Sequence, residues 1–416
     1  MMRISLPKNG VLRVFGPALV SVVEGKACIL GRVIGPGDKV VIHKMRSYAV
    51  LALEDLVIEA NLGPGATIQE PSPNEEPIAE WMELAKKIVG RNKKIIIMGP
   101  IDSGKSSIAM LLANIALNNG LKKVAIIDSD VGQADIGPPG FITLSMVSSP
   151  AIWMRELSPT IMRFIGDIRP QYHVEKIIWE VVKLIGNAVS NGADMVVIDT
   201  DGWIQDSNAI DYKIRLIEAV WPDEVVVMGE QYGKVFRKLE GLGIKVHVFK
   251  SPPVIKSRNR DERRWLRSEQ YRKFLEEAPI KKYMLSDLII IGNPLFEGEE
   301  VDASSIESIA GTKIYYASLL PDSLNLVIQP GSRVVPVDKI KEMMGVQRIR
   351  FYTLGFEKGI YVSLSKRDIA EYPGLIDNID YTSKTISVKT MFDDKPLIIK
   401  FSRMRITKDY TEQLIE

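Results

Sequence analysis

Nine consecutive residues, Gly99-Pro-Ile-Asp-Ser-Gly-Lys-Ser-Ser107, fit the pattern GxxxxGK[ST]. Two glycines let a backbone curl closely around an anion, and the N–H groups at a helix start point at it. The chemistry is capture of a nucleoside triphosphate. Gly99, Pro100, Ile101, Asp102, Ser103, Gly104, Lys105, Ser106 and Ser107 are expected to cradle its phosphates. Lys105 then reaches the β- and γ-phosphates, and the Ser106 hydroxyl ligates Mg²⁺. This pattern names no reaction. The carboxylates downstream suggest one. Asp128 and Asp130, in Ile127-Asp-Ser-Asp-Val-Gly-Gln133, are two apart and share a face of an extended strand. One is suited to hold a water of Mg²⁺, the other to take the proton of an incoming hydroxyl, the part a kinase has and a GTPase lacks. Capping the following turn is the other use of such a pair. A third carboxylate, Asp199, closes Met195-Val-Val-Ile-Asp, the outline of the Mg²⁺-supporting strand in phosphate-loop enzymes.

These groups need a rigid sheet edge to hold them. Lys94–Met98 reads as a buried strand and Ser107–Asn118 as the helix after the loop. The apolar runs Val124–Asp128, Met195–Thr200, Val225–Gly229 and Ile244–Phe249, with helical stretches such as Val174–Val189 between some of them, predict a doubly wound, mostly parallel α/β domain over residues 78–290. Ligands bind at the carboxyl ends of strands in such sheets. Short apolar runs broken by turn residues predict a small antiparallel β domain over 1–70. Gln69–Pro77, with three prolines, reads as a linker, and short strand signals predict a second β-rich domain over 295–416. Lys44 and Arg46 lie in a plausible region for contacts to the nucleotide's base, although a solvated basic turn is the preferred reading of the pair.

The bulk numbers narrow the class. The 416 residues suffice for two or three domains. Cys28 is the single cysteine and histidines number three, which argues against disulfide scaffolds and histidine-rich metal centres. The N-terminus lacks the apolar run of a signal peptide, and no apolar run approaches about 18 residues, so a cytoplasmic enzyme without a membrane partner is expected. Net charge is only +2, so contact with nucleic acid needs a local patch. Residues 256–273 supply one, with eight positive and three negative side chains. Six of the eight are arginine, the better fork for phosphate oxygens.

Taken in order, GPxxxGKS, DxDxGQ, a strand ending in Asp199-Thr-Asp-Gly-Trp203 and the basic segment from Ser251 resemble the polynucleotide 5′-hydroxyl kinases. That family includes the RNA kinase subunit of the mRNA cleavage factor and the pre-ribosomal RNA processing kinases. The likeness implies a β–α/β–β plan, ATP and Mg²⁺ as cofactors, and an RNA 5′-OH as acceptor. It implies Asp130 as general base, Gln133 near the acceptor sugar, and Thr200 and Trp203 as a clasp on the terminal nucleotide. Arg258 and Arg263, in a lid near 251–275, would neutralise the transferring phosphoryl group. Asp128 and Asp199 remain alternatives for the outer shell of the metal. Where relatives have Gly-x-x-[Ser/Thr]-Pro on the nucleic-acid backbone, this chain has Gly166-Asp-Ile-Arg-Pro170, which makes Arg169 the candidate phosphate contact. Stacking and phosphate contacts hardly read the 2′-OH, which leaves DNA open as a second acceptor. The resemblance also implies RNA-processing proteins as partners. The rival readings are a non-catalytic ATP-binding scaffold and a GTPase, although no Asn/Thr-Lys-x-Asp guanine motif is present.

Overall fold

Continuous β-branched runs, buried on both faces, build the sheet at the centre of the chain. In the computed structural model six of its seven strands lie in the order Phe141–Val147, Val124–Asp128, Met195–Asp199, Lys94–Met98, Glu224–Met228, Lys245–Phe249, and these six are the ones that bear on the site. All neighbours are parallel except the first pair. Residues 2–72, 75–252, 258–332, 336–367 and 369–415 are described. Pro73 and Asn74 of the expected linker, and Val254, Ile255 and Lys256 of the basic segment, lie outside the described residues.

The register fixes the chemistry. Asp128 pairs with Asp199, and Ile97 pairs with Asp199, so both carboxylates and the start of the phosphate loop share the carboxyl edge of the sheet. The helix after the loop, Lys105–Asn118, is apolar on nearly every face because it is covered all round. Ile108, Leu111, Leu112 and Ala116 are fully buried, and the Asn114 amide donates to the carbonyls of Leu30 and Ala151. Burying each such aliphatic side chain stabilises by about 1.5–3 kcal/mol.

The chain divides into two compact units. The first comprises Met1–Gly137, Ile142–Ile161 and Arg169–Arg263. Besides the central sheet it holds two small antiparallel sheets near the N-terminus. One runs Met2–Leu6, Leu56–Leu62, Ala18–Glu24, Lys39–Ile42; the other runs Arg32–Ile34, Ala27–Ile29, Ser47–Ala52, Val11–Phe15, Thr67–Gln69. The second unit comprises Pro138–Phe141, Met162–Ile168 and Arg264–Glu416. One of its sheets is built on Tyr372–Asp380, Ile360–Ser365 and Ile398–Ile406. Another contains Ser323–Ile328 paired in parallel with Arg348–Thr353, and it is accompanied by two helices, Ser304–Ala310 and Val337–Met344, that strand signals alone did not foretell.

Candidate active site

Two glycines make the phosphate loop. Gly99 has φ +155° and a Cβ there would meet Met228 Cβ at 2.5 Å. Gly104 has φ +102° and starts the helix, and its missing Cβ leaves room for Trp81. Trp81 comes from the helix Ile78–Ile88 and is fixed by its indole N–H donating to the Lys250 carbonyl at 2.9 Å. The loop opens onto a cavity of about 160 Å³ lined by Ile101, Asp102, Ser103, Gly104, Lys105, Ser106 and Ser107. Gly99 and Pro100 sit behind it at the strand end. Lys105 is buried at the cavity wall, where its ammonium donates to the Pro100 carbonyl at 3.0 Å.

Three carboxylates flank the loop and differ in what they have spent. Asp128 is fully committed to its own turn. Its Oδ2 accepts the N–H groups of Asp135 (2.7 Å) and Ile136 (3.0 Å), and its Oδ1 that of Asp130. Burial and the Asp199 charge push it well above the usual carboxylate range. Asp199 is buried too, with Oδ1 lacking any hydrogen-bond partner among the described residues. Burial lifts it to about 7 against the pull of Lys105 and the Ser106 hydroxyl. Asp130 lines the cavity beside Lys105, Ser106 and Gln133. Its Oδ1 accepts from Gly132 N–H (3.0 Å) and Gln133 N–H (2.8 Å), which aims the side chain. Burial and the neighbouring Asp201 raise it, while Lys105 and those two N–H groups hold it down.

The clasp residues divide. Thr200 is fully buried, and its hydroxyl donates to the Ile97 carbonyl at 2.9 Å, so it shapes the strand end rather than the cavity wall. Trp203 is half-buried and held on three sides. Its backbone N–H donates to Asp201, its indole N–H donates to Asp206 at 2.6 Å, and its ring stacks on Tyr212 at 6.0 Å between centroids. Gly202 lets this segment press on the phosphate loop, since a Cβ there would lie 2.9 Å from the Ile101 backbone. Arg169 does not line the cavity; its guanidinium lies over the Tyr172 ring at 4.6 Å.

The basic segment also splits. Arg258 lines the cavity, and it and Arg263 both converge on Asp102 of the phosphate loop. Arg267, in the second unit, pairs with Glu412 at 2.6 Å, and Arg272 pairs with Glu269.

Some residues that the sequence reading left out belong to the site. Arg46, expected in a solvated turn, is largely buried and lines the cavity. It donates to both oxygens of Asp135 at 2.8 Å, and Arg155 adds a third bond at 3.0 Å. The Asp135 partner overrides solvation, which local composition cannot reveal across 89 residues. Burial alone would raise Asp135, yet Arg46, Arg155 and Arg258 hold it at about 2. Behind Trp203, Lys213 is fully buried and pairs with Asp201 at 2.9 Å.

Known proteins are similar to this chain in sequence and in fold. Residues 99–277 match the family model described as the mRNA cleavage and polyadenylation factor CLP1 P-loop. A polyribonucleotide 5′-hydroxyl-kinase of Pyrococcus abyssi is 30% identical over 331 residues, 77% of this chain and 89% of that one. Another of that name from Methanocaldococcus jannaschii is 29% identical, over 77% and 88% of the two chains. Among solved structures, that of the wild-type Clp1p–Pcf11p complex aligns with a TM-score of 0.65 at 14% identity, covering 97% of each chain, which is a likeness of fold.

Proposed function

The chain belongs to the polyribonucleotide 5′-hydroxyl-kinase family and is a 5′-hydroxyl kinase of RNA, and from that premise we propose how its own residues perform the transfer. ATP is the donor, its triphosphate lying in the loop Gly99–Ser107. The terminal 5′-oxygen of the RNA attacks the γ-phosphorus in line. The bond from the γ-phosphorus to the β-bridging oxygen breaks, and ADP leaves. Asp130 accepts the proton of the 5′-OH. Its elevated pKa makes it a better proton acceptor than an ordinary carboxylate. Lys105, Arg258 and Arg263 face the charge that develops on the phosphoryl oxygens.

A Mg²⁺ ion fits the residues present. Asp199 keeps a buried, unpartnered oxygen beside the Ser106 hydroxyl, and that pair would hold the ion together with the nucleotide's phosphates. A bound Mg²⁺ would supply positive charge against the negative charge of the triphosphate oxygens. Asp128 has its oxygens occupied by backbone N–H groups, so Asp199 is the better choice of the two. At the acceptor end, Trp203 offers a stacking surface to the terminal base, Gln133 borders the sugar, and Arg169 meets a phosphate further along. Thr200 supports the clasp from within. RNA-processing proteins stay in the proposal as partners because the resemblance implies them. Among the described residues no helix is long and apolar enough to cross a membrane.

The observation that carries this reading is Asp130 and Lys105 on one cavity wall. The scaffold alternative is not favoured, since relatives covering most of the chain are kinases by name. The experiment is end-labelling of matched RNA and DNA oligonucleotides bearing a 5′-OH, using ATP labelled at the γ-phosphate. The RNA end acquires label only when its 5′-OH is free; consumption of ATP at the same rate without any oligonucleotide would point to a plain nucleotidase.

A further inference from the structure

Asp102 stands inside the phosphate loop, where triphosphate binding asks for no carboxylate; beside phosphates, a negative charge costs affinity. Its backbone is left-handed, with φ +60°, a region that non-glycine residues other than Asn, Asp and His seldom enter. What its side chain touches comes from the basic segment. Oδ2 accepts the Arg258 backbone N–H at 3.0 Å and lies 3.4 Å from Arg263 Nη2. Oδ1 is 3.7 Å from Arg258 Nη1. The helix Arg260–Leu275 starts immediately after. Asn259 and Glu262 cap it reciprocally, each side chain accepting the other's backbone N–H. Both guanidiniums are mostly buried, and each keeps an Nε with no hydrogen-bond partner among the described residues. One carboxylate thus gathers two arginines and leaves part of their donor capacity unspent.

We propose that Asp102 is a positioning residue that docks Arg258 and Arg263 at the mouth of the phosphate loop before the γ-phosphoryl group arrives. A lone carboxylate at 3.4–3.7 Å is a weak partner for two forks. Phosphate oxygens offer both arginines shorter, charge-assisted bonds, so the forks pass from Asp102 to the nucleotide without leaving the loop. Holding them there spares the reaction the search for that geometry. This inference rests on the reading of the two arginines as phosphoryl-facing.

The test is Asp102→Asn, with Asp102→Gly as a second variant. Asn tolerates the left-handed backbone as Asp does, and Gly adopts it freely, so the loop persists in both. For γ-phosphate transfer to a 5′-OH RNA, kcat is expected to fall roughly tenfold or more, while KM for ATP changes by less than about threefold. In an Arg258→Ala/Arg263→Ala background, Asp102→Asn is expected to add nothing. An Asp102→Asn enzyme that turns over as fast as the parent, or faster, overturns the proposal, and so do losses that multiply with those of the arginines. Silent arginine variants overturn the underlying reading and this inference with it. Costly arginine variants beside a silent Asp102→Asn overturn this inference alone.

Discussion

At the scale of single residues, the site is a contest over one kind of group. Six carboxylates crowd the edge of the sheet, and their partners decide their roles. Asp128 is satisfied by backbone N–H groups, Asp135 by Arg46 and Arg155, Asp201 by Lys213, and Asp102 faces Arg258 and Arg263. Asp130 and Asp199 keep free capacity next to Lys105. The Asp135 pairings bear on stability. Asp135→Asn strips the partner from two buried guanidiniums, and breaking such a pair costs about 3–5 kcal/mol. Denaturant unfolding of the variant at neutral pH reads this directly. The folded-state pKa of Asp135 is depressed to about 2, so its stabilisation is complete above the unfolded value near pH 4 and is lost as pH falls through about 2. The gap between parent and variant therefore narrows in acid. Trp203 carries a second prediction. Loss of base stacking is worth about 1–3 kcal/mol, so Trp203→Ala raises KM for RNA roughly 5- to 150-fold and Trp203→Phe recovers much of it. Initial rates at saturating ATP check it, and KM for ATP is expected to stay put.

At the scale of elements, the phosphate loop works because the pieces around it were shaped to touch it. Trp81 leans on Gly104, Met228 on Gly99, Gly202 on Ile101, and Ser251 donates to the Ser103 carbonyl. Gly104→Ala forces a Cβ against Trp81 at 3.1 Å in a left-handed backbone, so ATP binding is expected to weaken at least roughly tenfold while the fold survives. Isothermal titration measures it. These elements were also the most legible in the sequence. The strands Lys94–Met98, Val124–Asp128 and Met195–Asp199 stood out as continuous β-branched runs, because parallel strands are buried on both faces. The antiparallel strand Phe141–Val147 carries Thr143 and Ser145 and follows a Pro-Pro-Gly turn, which hides it from the same test. In the site, local spacing exposed the phosphate loop and the Asp-x-Asp pair. Resemblance then singled out Asp130 within that pair. Arg46, Asp135 and Lys213 stayed hidden, since their roles depend on partners brought together only by folding.

At the scale of the whole molecule, the first unit contains every group proposed for the transfer, including Arg258 and Arg263. The second unit holds Arg267 and Glu412, and its own buried polar groups such as Arg163 and Glu371 serve its interior. Relatives of the same family are about 30% identical to the chain over 77% of its length. In the proposed transfer, Asp130 takes the proton of an RNA 5′-hydroxyl while Lys105 and the loop hold the triphosphate. Asp130→Asn keeps the shape and removes the base. The most direct measurement pairs ATP binding with transfer of labelled γ-phosphate to a 5′-OH RNA in that variant. ATP affinity is expected to stay near that of the parent while transfer falls by roughly 100-fold or more. Transfer at the parental rate would contradict it.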